Sequence, residues 1–160
     1  NFLSFYQNNL STEENKKKKI KFNNNVFHQS KVLNYFLNKN SLPKTQKITD
    51  SLLSKIIKDK NYSFDVKDQL LLRSLMFDGI KVENIDKLTQ YESNLNPEID
   101  KIINNKEFGM VLLKMAELIG EQELEELNND SLKNIIEIMN KAKLISLRNE
   151  VLLEILPLKV

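Results

Sequence analysis

Apolar residues recur at helical spacing along most of this chain. Ile48, Leu52, Leu53, Ile56 and Ile57 share one face of a helix that starts at Ser41 and Pro43, with Lys47, Asp50, Lys55 and Lys58 opposite. The next segment, residues 64–78, is apolar almost all round through Val66, Leu70, Leu71, Leu72, Leu75, Met76 and Phe77, which predicts a helix enclosed by neighbours. A weaker helix is expected over 83–92. Asn96 followed by Pro97 is a strong start signal, an N-cap and then a preset first helical residue, and Ile99, Ile102 and Ile103 supply the buried face until Asn104 and Asn105 break the phase. Phe108, Val111, Leu112, Met115, Leu118 and Ile119 keep the spacing up to Gly120 and are expected in the core. Asp130 or Ser131 can cap a helix with the stripe Leu132, Ile135, Ile136, Met139 and Ala142. Ser146 can cap the last, which turns Val151, Leu152, Ile155 and Leu156 inward before Pro157. No segment alternates with period two, so the fold class is all-α.

Residues 1–40 are the least regular. Phe2, Leu3, Phe5 and Tyr6, and then Val32, Leu33, Phe36 and Leu37 behind a Ser30 cap, read as short amphipathic helices. Between them, residues 11–25 read as a mobile linker, because the capping pair Ser11 and Glu14 is followed by Asn15 and four lysines instead of an apolar run. The expected organisation is therefore an irregular basic segment, 1–40, and a helical domain, 41–160.

A three-residue apolar block returns at near-constant intervals: Leu70, Leu71, Leu72, then Val111, Leu112, Leu113, then Val151, Leu152, Leu153. Lys55, Ile56, Ile57 recur ahead of it as Lys101, Ile102, Ile103. By period and helix pairing the chain resembles the α-solenoid class that includes the HEAT and tetratricopeptide repeats. That resemblance implies stacked antiparallel helix pairs, a short solenoid or an irregular bundle, serving as a scaffold for partner proteins. The stretch from Asp130 to Leu156 also resembles the closing repeat of large exported helical-repeat proteins of bacteria. Neither resemblance supplies a functional residue. Stacking is expected on energetic grounds too, because a lone helix of about 12 residues is marginal in water, whereas each buried aliphatic side chain contributes about 1.5–3 kcal/mol.

Composition narrows the chemistry. The chain has 160 residues, enough to bury about two-thirds of its surface. It has 22 Lys and 21 Asn against two Ala, the signature of an A- and T-rich genome, so short Lys or Asn clusters are discounted as signals. With no cysteine there is no disulfide framework, thiol nucleophile or thiolate zinc site. No run approaches the roughly 20 apolar residues that cross a bilayer. The chain begins at Asn1, so a piece of a longer or processed polypeptide is expected; its location is left open, with export if a signal was removed upstream. Charge is uneven: residues 1–67 carry 13 Lys against 5 acidic residues, while the net charge of the whole is only +2.

Few residues suggest catalysis. His28 is the sole histidine and lies in an Asn-rich stretch, so a surface or partly packed role is expected instead of a triad or metal site. Gly79, Gly109 and Gly120 are too far apart for a phosphate loop. Glu121, Glu123, Glu125, Glu126 and Asp130 lack the alternation of a calcium loop and read as a solvated turn. Gly109, seven residues before Ala116, suggests that a neighbouring helix passes close. The sharpest polar feature is Lys16, Lys17, Lys18, Lys19 and Lys21, flanked by Ile20 and Phe22, a candidate anion-binding run for nucleic acid or anionic lipid. The leading expectation is a non-enzymatic scaffold or protein-interaction domain with no cofactor; the alternative is a charge-driven binding module using those lysines.

Overall fold

Helix punctuation in the sequence decides most of the architecture. The computed structural model describes residues 20–83, 88 and 95–159. Six α-helices lie among them: α1 (Leu42–Lys58), α2 (Val66–Phe77), α3 (Pro97–Asn104), α4 (Phe108–Ile119), α5 (Asn129–Lys141) and α6 (Ile145–Ile155). Short 3-10 turns cover Phe27–Gln29, Lys31–Asn34 and Leu124–Glu126. The β structure among the described residues is one two-residue antiparallel ladder, β1 (Ile20–Lys21) against β2 (Leu158–Lys159), with Ile20 opposite Lys159 and Lys21 opposite Leu158. The chain is all-α in class. The expected helices around Phe2 and over 83–92 lie outside the described residues, apart from Glu83, which is exposed, and Leu88, which is buried. Part of the expected linker, Ile20 and Lys21, is instead held in β1.

Two compact units form. The first, among the described residues, comprises 20–83, 88 and 156–159. Its centre is α2, whose Leu70, Leu71, Leu72 and Leu75 are at most 1% exposed, while the turn at Phe27–Gln29 packs on α2 and the turn at Lys31–Asn34 on α1. Ser30 does cap its turn, accepting from the Val32 N–H at 3.3 Å, but the segment winds as a 3-10 turn and ends near Asn38, whose φ is 57°. Phe77 escapes enclosure and lies exposed beneath the Arg73 guanidinium, 5.4 Å from its ring centroid. Gln46 pins the chain beyond α2 to α1 by a reciprocal pair: its amide donates to the Lys81 carbonyl at 2.8 Å and accepts from the Lys81 N–H at 2.9 Å. Gly79, at φ 105°, makes the turn that allows this.

The second unit, residues 95–155 among those described, packs α3 on α4 and α5, α4 on α5, α5 on α6, and the turn at Leu124–Glu126 on α6. Asn96 caps α3 as expected, accepting from the Glu98 N–H at 2.9 Å. The α5 cap is Asn128, not Asp130 or Ser131: its extended backbone places its carboxamide oxygen 2.9 Å from the Ser131 N–H, three residues on. Ser146 sits inside the first turn of α6 and does not precede it. The stripe Leu132, Ile135, Ile136, Met139 and Ala142 is buried throughout. Arg148, only 1% exposed, is enclosed beside it, donating to Asn140 Oδ1 at 3.0 Å and, through Nη2, to Asn149 Oδ1 at 2.7 Å.

Equal spacing in sequence has not produced equal burial. The block in α2 is wholly enclosed and two residues of the α6 block are, whereas in α4 only Val111 is buried. Leu112 and Leu113 of α4 face out.

Candidate functional site

Asp65 and Asp68 begin the construction of one polar cluster. Asp65 N-caps α2 by accepting from the Asp68 N–H at 2.9 Å, and Asp68 returns the bond by accepting from the Asp65 N–H at 3.3 Å, a reciprocal capping box that fixes both carboxyl groups. Asp68, 1% exposed, then collects three more donors. Its Oδ1 accepts the His28 backbone N–H at 2.8 Å and lies 2.7 Å from His28 Nδ1, and its Oδ2 accepts the Tyr62 hydroxyl at 2.8 Å. The Tyr62 oxygen accepts in turn from the Phe27 N–H at 2.8 Å. Burial pushes the Tyr62 phenol well above its ordinary value; Asp68 and Asp65 push the same way, against the Phe27 hydrogen bond.

His28 is therefore buried and partnered, more enclosed than the surface or partly packed role expected of it. A nitrogen 2.7 Å from a carboxylate oxygen is a donor, so Nδ1–H points at Asp68, and the neighbour of Nε2 is the Gln29 amide nitrogen at 3.4 Å. His28 Nδ1, an Asp65 oxygen and an Asp68 oxygen lie within 4.8 Å of one another, the right atoms for a divalent cation. Their hydrogen bonds are already spent on one another. A cation would have to take the Nδ1 proton's place and break the Asp68 bond, so the cluster acts as a clamp joining the Phe27–Gln29 turn to α2.

The other sequence candidates do not join it. Lys16, Lys17, Lys18 and Lys19 lie outside the described residues, and Lys21 is exposed on β1. Glu121, Glu123, Glu125 and Glu126 are exposed around the Leu124–Glu126 turn, with Leu124 and Leu127 tucked in, as a solvated turn requires.

From their spacing Phe108, Val111, Leu112, Met115, Leu118 and Ile119 are expected in the core. The helix instead buries Val111, Met115 and Ile119 and turns a second apolar arc outward: Met110 is 41% exposed, Leu112 38% and Leu113 50%, with Phe108 at 48% on its N-terminal margin. Gly109 lies on the same arc, and a Cβ added there would meet nothing within 4 Å. The close helix that Gly109 suggested is thus not supplied by the described residues. Lys114 and Glu117, paired at 3.1 Å, edge the arc. A helix apolar on both sides could have been read as having two contact faces. The signal was present in Phe108–Gly109–Met110 and Leu112–Leu113.

What these observations define is an all-α chain with an internal aspartate–histidine clamp and one helix apolar on both faces. No family model matches it, nor does any curated protein or solved structure. No helix among the described residues is long and apolar enough to cross a membrane.

Proposed function

We propose that this chain is a non-enzymatic helical domain that works by protein contact, with the outward arc of α4 as the contact surface. The observation that carries the reading is the cluster of Met110, Leu112 and Leu113 exposed together on one helix whose inner face is already satisfied. Apolar side chains scattered singly on a surface need no explanation, but neighbours on one helix face mark an interaction site. The helix-pair architecture expected from the sequence fits this role, since stacked helices present such faces on a rigid support. The enclosed His28–Asp68 pair favours a structural use of the one pairing that resembles catalytic machinery.

The test is Leu113→Asp in the protein as its source cells make it. Because Leu113 is half exposed, the variant is expected to unfold at the wild-type temperature while losing the protein partners that co-purify with the wild type. Partner retention equal to wild type would overturn the proposal.

A further inference from the structure

The outer face of α1 carries one sign of charge. Lys44, Lys47, Lys55 and Lys58 are all exposed and, at about 3.6 residues per turn, fall within about 80° of one another around the helix axis, with exposed Ser51 in the middle of the row. The opposite face places Thr45, Thr49, Leu52 and Leu53 in the core. Asp50, the one carboxylate within the helix, stands to the side of the row and accepts from Gln46 Nε2 at 2.8 Å. Among the described residues none of the four lysines is ion-paired. The row does not serve the helix that carries it. Lys44 stands in the first turn, at the positive pole, where no acidic residue offsets it, and Lys44 and Lys47, like Lys55 and Lys58, are like charges three apart, which repel. Nor does a lysine-rich composition account for it, since no other helix among the described residues has more than two Lys and Arg. The described residues of the first unit hold 12 Lys and Arg against six Asp and Glu, and those of the second hold seven against 12, so the field around α1 attracts anions.

The shape of the row selects among polyanions. Lys44 to Lys58 spans about 21 Å, the rise of about six base pairs at about 3.4 Å each, and each ammonium rides on a flexible four-carbon stem that lets it meet a separate phosphate. A helix lying on a bilayer sinks an apolar face into it, but the apolar face of α1 is spent on the core, and Ile57, its one large exposed hydrophobe, lies off the row. Single strands are held by stacking on aromatic rings, and α1 has none. We infer that α1 is a contact surface for double-stranded nucleic acid, gripped through its phosphates without regard to sequence, because α1 also lacks the Arg that most often reads bases. This surface belongs to a different unit from α4 and stands independently of the protein-contact reading.

Fluorescence anisotropy of labelled random-sequence DNA and RNA duplexes, titrated with the 160-residue chain at rising salt, tests this. A variant combining Lys44→Gln, Lys47→Gln, Lys55→Gln and Lys58→Gln is expected to flatten the slope of log affinity against log salt by about 3.6, four phosphates at about 0.9 each, and each single change by about 0.9. That effect on one duplex or on both supports the inference and names the duplex that fits. Lys101→Gln, on the exposed side of α3, keeps the wild-type slope. A wild type that binds neither duplex, or a combined variant with unchanged circular dichroism and the wild-type slope, overturns the inference. So does a Lys101→Gln slope as shallow as that of Lys47→Gln, or binding to phosphatidylserine vesicles in place of the duplexes. Duplex binding that is lost on replacing Lys16, Lys17, Lys18 and Lys19 by Gln yet kept by the combined variant moves the contact to that run and overturns it too.

Discussion

Asp68→Ala is expected to be the most damaging single change in the first unit. Asp68 accepts four hydrogen bonds at 2.7–3.3 Å and is 1% exposed, so its loss strands every donor that converges on it. Two of those donors, the backbone N–H and Nδ1–H of His28, sit on a residue only 5% exposed and cannot turn to water. Each buried donor left without an acceptor costs about 1–3 kcal/mol. Tyr62 is half-buried and the Asp65 side chain is exposed, so solvent can serve their donors and their losses are small. The total is about 3–5 kcal/mol, a large part of the 5–15 kcal/mol that typically holds a domain together. Asp68→Asn keeps the shape and one accepting oxygen, which can stay on the His28 pair, and should cost only about 1–2 kcal/mol. Urea unfolding followed by circular dichroism measures both, and a double-mutant cycle with His28→Ala should return a coupling of about 1–3 kcal/mol. An Asp68→Ala variant within about 1 kcal/mol of wild type would refute the clamp, since that is the cost of an ordinary substitution.

Tyr62 supplies a pH dependence with a definite sign. Its phenol stays neutral in the fold well above its ordinary value, so its contribution is whole below about pH 10 and falls as pH rises, where only the unfolded chain ionises. Thermal unfolding at stepped alkaline pH should show a loss that Tyr62→Phe makes shallower; equal slopes would contradict the burial of this hydroxyl. Thr49 is fully buried and, among the described residues, its hydroxyl has no hydrogen-bond partner, so Thr49→Val should raise stability by about 1 kcal/mol in urea unfolding. Gly120→Ala and Gly109→Ala should move the melting temperature in opposite directions. Gly120 has φ 61° and ψ −131°, where a side chain costs about 1–3 kcal/mol. Gly109 is helical with open space around it, so alanine there should add about 0.5–1 kcal/mol.

Periodicity made the helices legible because local chemistry decides them. Asn96 and Pro97 start α3, Gly120 stops α4, and the stripe from Leu132 to Ala142 faces inward, all within a few residues of the signal that specifies them. The clamp was only half legible. Asp65 and Asp68, three apart ahead of an apolar run, carry a capping signature. Nothing local says that His28, 40 residues away, will meet them, since that pairing is created by the turn at Phe27–Gln29 packing on α2. For α4 the pattern identified a helix but not which side the core would take. Residues on both faces are apolar, and only the neighbours α3 and α5 select Val111, Met115 and Ile119 for burial. The three apolar blocks show the same limit, with identical chemistry in sequence and different burial in the fold.

Because the chain has no cysteine, the contact surface on α4 can be tested cleanly by single-cysteine labelling. Cysteine is placed in turn at Gly109, Met110, Leu112, Leu113 and Ala116, and at the exposed Lys47 of α1 as a reference, and maleimide labelling rates are compared between dilute purified chain and the protein at its working concentration in its own nuclease-treated cell extract. Slowed labelling is expected at the five α4 positions, greatest at Leu113, with an unchanged rate at Lys47. Equal rates in both settings at all five α4 positions would contradict it.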